Sequence, residues 1–177
     1  RGHGQSGKPL DPAQYGMEMV RDVVRLMDHL KIDRAHVVGY SMGGGIAQQL
    51  LVKYPARLLT VALLGSGWEG ENMEALTAQM AAMADGFDKR DASGLIRGVQ
   101  AGAQSGPSDA AVAAAAADLF SRNDPKVLAA IARALPSLWQ VSRDELRAVQ
   151  VPVLAINGEF EPSNVEAANR MVGLVPR

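Results

Sequence analysis

Residues 39 to 43 read Gly39-Tyr40-Ser41-Met42-Gly43, a serine flanked at two-residue spacing by glycines. They follow the short β-rich run Ala35-His-Val-Val and precede the helix-forming stretch that carries Ile46, Ala47, Leu50 and Leu51 and stops before Pro55. A strand running through a sharp turn into a helix projects a serine hydroxyl clear of a sheet edge, which is the geometry for nucleophilic attack on an acyl carbon. Gly39 and Gly43 are expected to be small because a Cβ at either position would collide across the turn. The backbone N–H of Met42, at the positive end of the following helix, is the expected donor to an oxyanion.

A serine hydroxyl is a weak nucleophile near neutral pH and needs a histidine to take its proton and a carboxylate to orient that histidine. The chain has three histidines, all early: His3 in a glycine-rich loop, His29 near a helix end and His36 in the strand before Ser41. Each is read as structural.

The elements that position these groups alternate. Met17, Val20, Val23, Val24, Met27 and Leu30 recur at helical spacing, with Arg21, Asp22, Arg25 and Asp28 opposite them. Leu58 to Leu64 is a near-continuous apolar run, as expected of a strand buried on both faces of a parallel sheet. The expected fold class is therefore α/β, with parallel strands at about 35–40, 58–65 and 151–157 and helices flanking them.

Between the second and third strands, Trp68 to Gln150 carries helical signals and almost no strand signal. Asp124 can cap a helix with Pro125 at its first position, and Ser142-Arg-Asp-Glu145 is a capping-box pattern. Seven alanines in residues 110 to 117 argue for helix propensity or close helix packing. Met73, Leu76, Met80 and Met83 with Trp68 could line an apolar acyl pocket or simply pack helices together, and Trp139 has the same ambiguity. Tyr40 and Trp68 are carried forward as candidate substrate contacts.

Three segments of the chain resemble the α/β-hydrolase family: Arg1-Gly-His-Gly-Gln-Ser-Gly7, the loop after its fourth strand; Gly39 to Gly44, its nucleophile elbow; and Val151 to Glu161, the strand and turn that deliver the triad acid. The resemblance implies a partial core over 1–67, a helical lid over 68–146 and a return to the core over 147–177. It implies acyl transfer through Ser41, with Glu161 as triad acid where most members have aspartate. It also implies that the base follows the acid, where this chain has no histidine, and that the second oxyanion donor precedes Arg1. A complete member would run to about 270 residues, so the 177 are expected to be an internal section.

The implied activity is hydrolysis of a small ester, thioester or lactone. The alternatives are a perhydrolase or haloperoxidase-like reaction with the same triad, or a non-catalytic binding module on the same fold. No cofactor or metal is called for, and the expected partner is a small acyl substrate.

Composition narrows the alternatives. The chain is 47% hydrophobic and 21% charged with a net charge of -1, which leaves no field to collect nucleic acid or an anionic membrane. The absence of cysteine excludes disulfides, thiolate metal sites and a Cys nucleophile. No apolar run approaches the roughly 20 residues of a membrane span, and a cytoplasmic location is the expectation. Gly2-His-Gly4-Gln-Ser-Gly7 matches a dinucleotide fingerprint literally, but Pro9 and Pro12 deny it the helix that would aim N–H groups at a pyrophosphate.

Overall fold

The computed structural model describes residues 1–70, 73–100, 106–159 and 162–175, and its contacts divide the chain into two units. One unit holds residues 16–73 and 137–177, the other 1–15 and 74–136.

The first unit is built on a parallel sheet. Helix α1, Met17–His29, turns Met19, Val20 and Met27 inward, while Glu18 pairs with Arg21 and Arg25 on its outer face. Strand β1, Ala35–Tyr40, leads through Ser41 into α2, Met42–Lys53, and β2, Leu58–Leu64, follows. Strand β3, Val153–Ile156, completes a parallel sheet in the order β1-β2-β3. Parallel neighbours need a crossover between them, and α2 supplies it for β1 and β2. Helix α2 packs on both strands and α1 packs on α2. Two short helices, α7 at Pro136–Trp139 and α8 at Arg143–Arg147, lead back to β3, and α9, Pro162–Val172, packs beside it. The capping box of Ser142 and Glu145 forms as its spacing predicts.

The register corrects one expectation. Val37, Val61 and Val153 share a row, as do Gly39, Leu63 and Ala155, on the sheet face that α2 covers. The alternate rows, Val38 with Ala62 and Leu154, and Tyr40 with Leu64 and Ile156, lie on the opposite face. There Val38 is 69% exposed, Tyr40 68%, Leu154 57% and Ile156 51%. The run Leu58 to Leu64 was expected to be buried on both faces, and instead Leu59 is 37% exposed and Ala62 and Leu64 are half-buried. In these strands the pleat sends every second side chain to a face that no described element covers.

The second unit is helical. Helix α3, Glu74–Asp88, packs on α6, Pro125–Ala134, with α4, Ser93–Val99, and α5, Asp109–Arg122, beside them. Ala84, Phe87, Ala92, Leu128, Ala129 and Ala132 form the core, and Phe87 meets Phe120 edge to face at 6.3 Å. Asp124 caps α6 ahead of Pro125 as expected. The alanine run is helical within α5, but only part of it packs inward.

The opening loop belongs to this unit: Gly2 is buried with Ile131 and Tyr15 beside it, and the Tyr15 hydroxyl donates to Pro9 O at 2.7 Å. This grouping differs from the sequence-based division at 67/68 and 146/147, because residues 1–15 lie with the inserted helices and 137–146 with the strands. The cause is contact between segments far apart in the chain, Gly2 beside Ile131 and the Ser137–Gln140 segment beside Gln49, which local pattern does not encode.

Candidate functional site

Ser41 stands where β1 ends and α2 begins, with φ +52° and ψ −117°. A non-glycine residue held in so sparsely populated a region costs about 1–3 kcal/mol and persists only where its surroundings over-determine it. They do so here. The Ser41 N–H donates to Leu64 O at 3.0 Å, extending the pairing of β1 with β2, and Ser41 O accepts from Gly44 N–H at 2.8 Å and Gly45 N–H at 3.3 Å. The serine is exposed.

Close approach explains one glycine of the motif and not the other. A Cβ on Gly39 would lie 2.1 Å from Gly43 O and 2.8 Å from Ala47 Cβ. A Cβ on Gly43 meets nothing within 4 Å, so the expectation that both flanking glycines relieve a collision is corrected. The second tight position is Gly44, where a Cβ would lie 2.4 Å from Ser66 Cβ. The turn crosses over Gly39 with its carbonyl side, so the room is needed under the helix and not at its outer surface. The unbroken run Gly43-Gly44-Gly45 was the available signal for this position.

Met42 and Gly43 open α2, where N–H groups have no intrahelical acceptor and the helix dipole is positive. The first turn of α2 carries no acidic residue to offset that charge. An anion forming beside Ser41 would therefore meet backbone donors already in place.

The other expected site residues are distributed as follows. Glu161 and Phe160 lie outside the described residues. Strand β3 before them ends at the same carboxyl end of the sheet as β1, since Gly65 N–H, just after β2, donates to Ile156 O at 2.9 Å. The Tyr40 ring lies over Gly65 on the uncovered sheet face. Trp68 is 2% exposed, its indole N–H donates to Val141 O at 2.8 Å and Arg143 sits 5.6 Å from its ring, so it is held by packing.

His36 pairs with Thr60 across the strands, Nδ1 to Oγ1 at 2.8 Å, and lies five strand residues before Ser41, or roughly 16 Å away. His29 ends α1 and is exposed. His3 is exposed in the opening loop, where Gly2 N–H donates to Gly7 O and Ser6 N–H to His3 O, which engages donors that a phosphate would require. Of the methionines, Met80 is buried and Met83 flanks the helical core. Met73 lines a cavity of about 250 Å³ with Gly70, Gln140, Val141, Ser142 and Glu145.

Sequence reasoning passed over Glu69. This half-buried carboxyl is pushed above its ordinary range by desolvation, which Arg170 partly offsets. Among the described residues no cluster of three or more His, Asp or Glu side chains could hold a metal ion, and no helix is long and apolar enough to cross a membrane.

Comparison with known proteins adds family context. A family model described as alpha/beta hydrolase fold matches residues 1–172. Over 63 residues, 36% of the chain, it is 51% identical to the dihydrolipoyllysine-residue acetyltransferase component of the acetoin cleaving system of Cupriavidus necator, a match spanning 17% of that protein. Over 57 residues, 32% of the chain, it is 47% identical to a 2-hydroxy-6-oxo-6-phenylhexa-2,4-dienoate hydrolase of Comamonas testosteroni, spanning 20% of it. Among solved structures, Est816, described as an N-acyl homoserine lactone degrading enzyme, superposes with a TM-score of 0.71 at 32% identity, covering 99% of this chain and 68% of its own.

Proposed function

Because the chain belongs to the α/β-hydrolase fold family, we propose that it carries the nucleophile of a serine hydrolase, Ser41, acting on a small ester, thioester or lactone. The observation that carries this reading is the strained backbone of Ser41 at the mouth of α2. A binding module has no need of an exposed serine held in such a conformation. The likeness to a lactone-degrading enzyme over nearly the whole chain favours a lactone or related acyl substrate.

In the proposed reaction Ser41 Oγ attacks the carbonyl carbon while a histidine removes its proton. The carbonyl oxygen becomes an oxyanion facing the Met42 N–H. Collapse of the tetrahedral intermediate breaks the bond to the leaving oxygen or sulfur, which takes the proton from the histidine, and leaves an acyl-serine that water hydrolyses by the same steps. Glu161 is the carboxylate assigned to orient the histidine. His36, five strand residues before Ser41, and His29, at the end of α1, are not placed to act as the base, and that role is assigned to neither.

The test is labelling with a fluorophosphonate of the protein expressed from its natural reading frame. Reaction that disappears in Ser41→Ala supports the reading, and folded protein that does not react overturns it in favour of a binding module. With neither His36 nor His29 serving as base, the 177-residue chain is expected to hydrolyse p-nitrophenyl acetate no faster than its His36→Ala and His29→Ala variants, and turnover lost in either variant would refute that placement.

A further inference from the structure

Two glutamines, Gln48 and Gln49, stand side by side on α2 and both are buried. Their amides have different surroundings. Among the described residues Gln48 Nε2 reaches Met171 Sδ, at 4.0 Å. Gln49 Nε2 faces three carbonyls of one strap, Ser137 O, Leu138 O and Gln140 O, each at 3.2 Å. A side-chain amide has two N–H groups, so at least one is shared between acceptors. The need for a donor arises from α7, which is too short to satisfy its own last carbonyls.

Gln49 Oε1 has no partner among the described residues, and a buried unpaired acceptor is destabilising. A leucine would avoid that penalty but would remove the amide that donates to Ser137 O, Leu138 O and Gln140 O. The side chain therefore serves the strap.

The strap in turn serves the turn that holds Ser41. A Cβ on Gly45 would lie 3.0 Å from both Leu138 Cβ and Trp139 Cε2, so the two side chains press on α2 itself. Trp139 Nε1 reaches Ser66 Oγ at 3.4 Å, and Ser66 fills the space beside Gly44. Gly44 and Gly45 are the residues whose N–H groups hold Ser41 O.

We propose that Gln49 is a positioning residue for the nucleophile: by binding the Ser137–Gln140 strap it presses Leu138 and Trp139 onto the first turns of α2 and so fixes the two N–H groups that hold Ser41 in its strained conformation. This rests on Ser41 being the nucleophile. Gln49 touches neither Ser41 nor a substrate, and its effect travels through Trp139, Ser66, Gly44 and Gly45.

The experiment compares Gln49→Met with Gln48→Met in protein from the natural reading frame, labelled with 5-fluorotryptophan. Trp139→Phe identifies the Trp139 fluorine resonance by its loss. Gln49→Met is expected to shift or broaden the Trp139 resonance and to slow fluorophosphonate inactivation at saturating probe about tenfold or more, with the half-saturating concentration changed less than about twofold, because misplacement of a reacting group by about 1 Å can cost about a hundredfold. Gln48→Met is expected to leave both readouts near wild type. Inactivation of Gln49→Met at the wild-type rate overturns the proposal. Should Gln49→Met fail to fold, Trp139→Phe carries the test: slower inactivation at an unchanged thermal midpoint supports the proposal, and the wild-type rate overturns it. Wild-type protein that is never labelled refutes the hydrolase reading itself, which is a different outcome from equal labelling of wild type and variant.

Discussion

Alanine at Gly39 and at Gly43 should move stability in opposite directions. At Gly39 the new methyl would lie 2.1 Å from Gly43 O, 2.6 Å from Gly43 C and 2.8 Å from Ala47 Cβ. Comfortable carbon contacts lie at about 3.5–4.0 Å, so the helix start must retreat by roughly an ångström or the strand end must bend. Overpacking of this kind costs about 1–3 kcal/mol, and the upper part of that range applies because the obstacle is backbone. At Gly43 the methyl meets nothing, and a glycine replaced by alanine within a helix gains up to about 1 kcal/mol. For a chain of this size 1 kcal/mol corresponds to about 2–4 °C in Tm.

Gly39→Ala should therefore lose at least about 4 °C, and Gly43→Ala should gain about 1–4 °C. Urea titrations followed by far-UV circular dichroism give the two differences from midpoints with a shared slope. Equal losses at both positions, or a loss above about 1 kcal/mol in Gly43→Ala, would refute the assignment of the crowding to one side of the turn.

Two further outcomes follow from charge and exposure. Hydrogen bonds from Lys53 and from the Ser142 N–H hold the Glu145 carboxyl below its ordinary range, so the folded state binds that proton less readily than the unfolded chain. The stabilisation is complete above the ordinary carboxylate pKa and is lost as pH falls through the depressed folded value. A glutamine side chain could still close the capping box, so Glu145→Gln should lower stability by about 0.5–1 kcal/mol at pH 7 and by less near pH 3; a difference in Tm that is the same at both pH values would contradict this. The uncovered apolar sheet face and the open edge of β1 should drive self-association of the 177-residue chain, which Val38→Lys should weaken in sedimentation velocity. A wild-type chain that stays monomeric at about 100 μM would count against that edge being available.

Local pattern alone determined the strand, turn and helix around Ser41, the positions of the three strands, and the caps at Asp124 and Ser142, because each depends on neighbours a few residues apart. The 3.6- and two-residue periods, the capping chemistry and the glycine run all act at that range. Other features were settled by tertiary structure. Which glycines are crowded depends on Ser66 and Ala47 as much as on the motif. Which sheet face stays open depends on what packs there, and the sequence of a strand shows only that its faces alternate.

Residues 1–15 pack on α6, more than a hundred positions away, and Gln49 finds its three carbonyls 88 to 91 residues along the chain. A glutamine in an apolar helix reads as an irregularity in a hydrophobic pattern. It becomes a support for the proposed nucleophile only when folding brings it three carbonyl acceptors, since a hydrogen bond is defined by where its partner lies in space and not by where it lies in the chain.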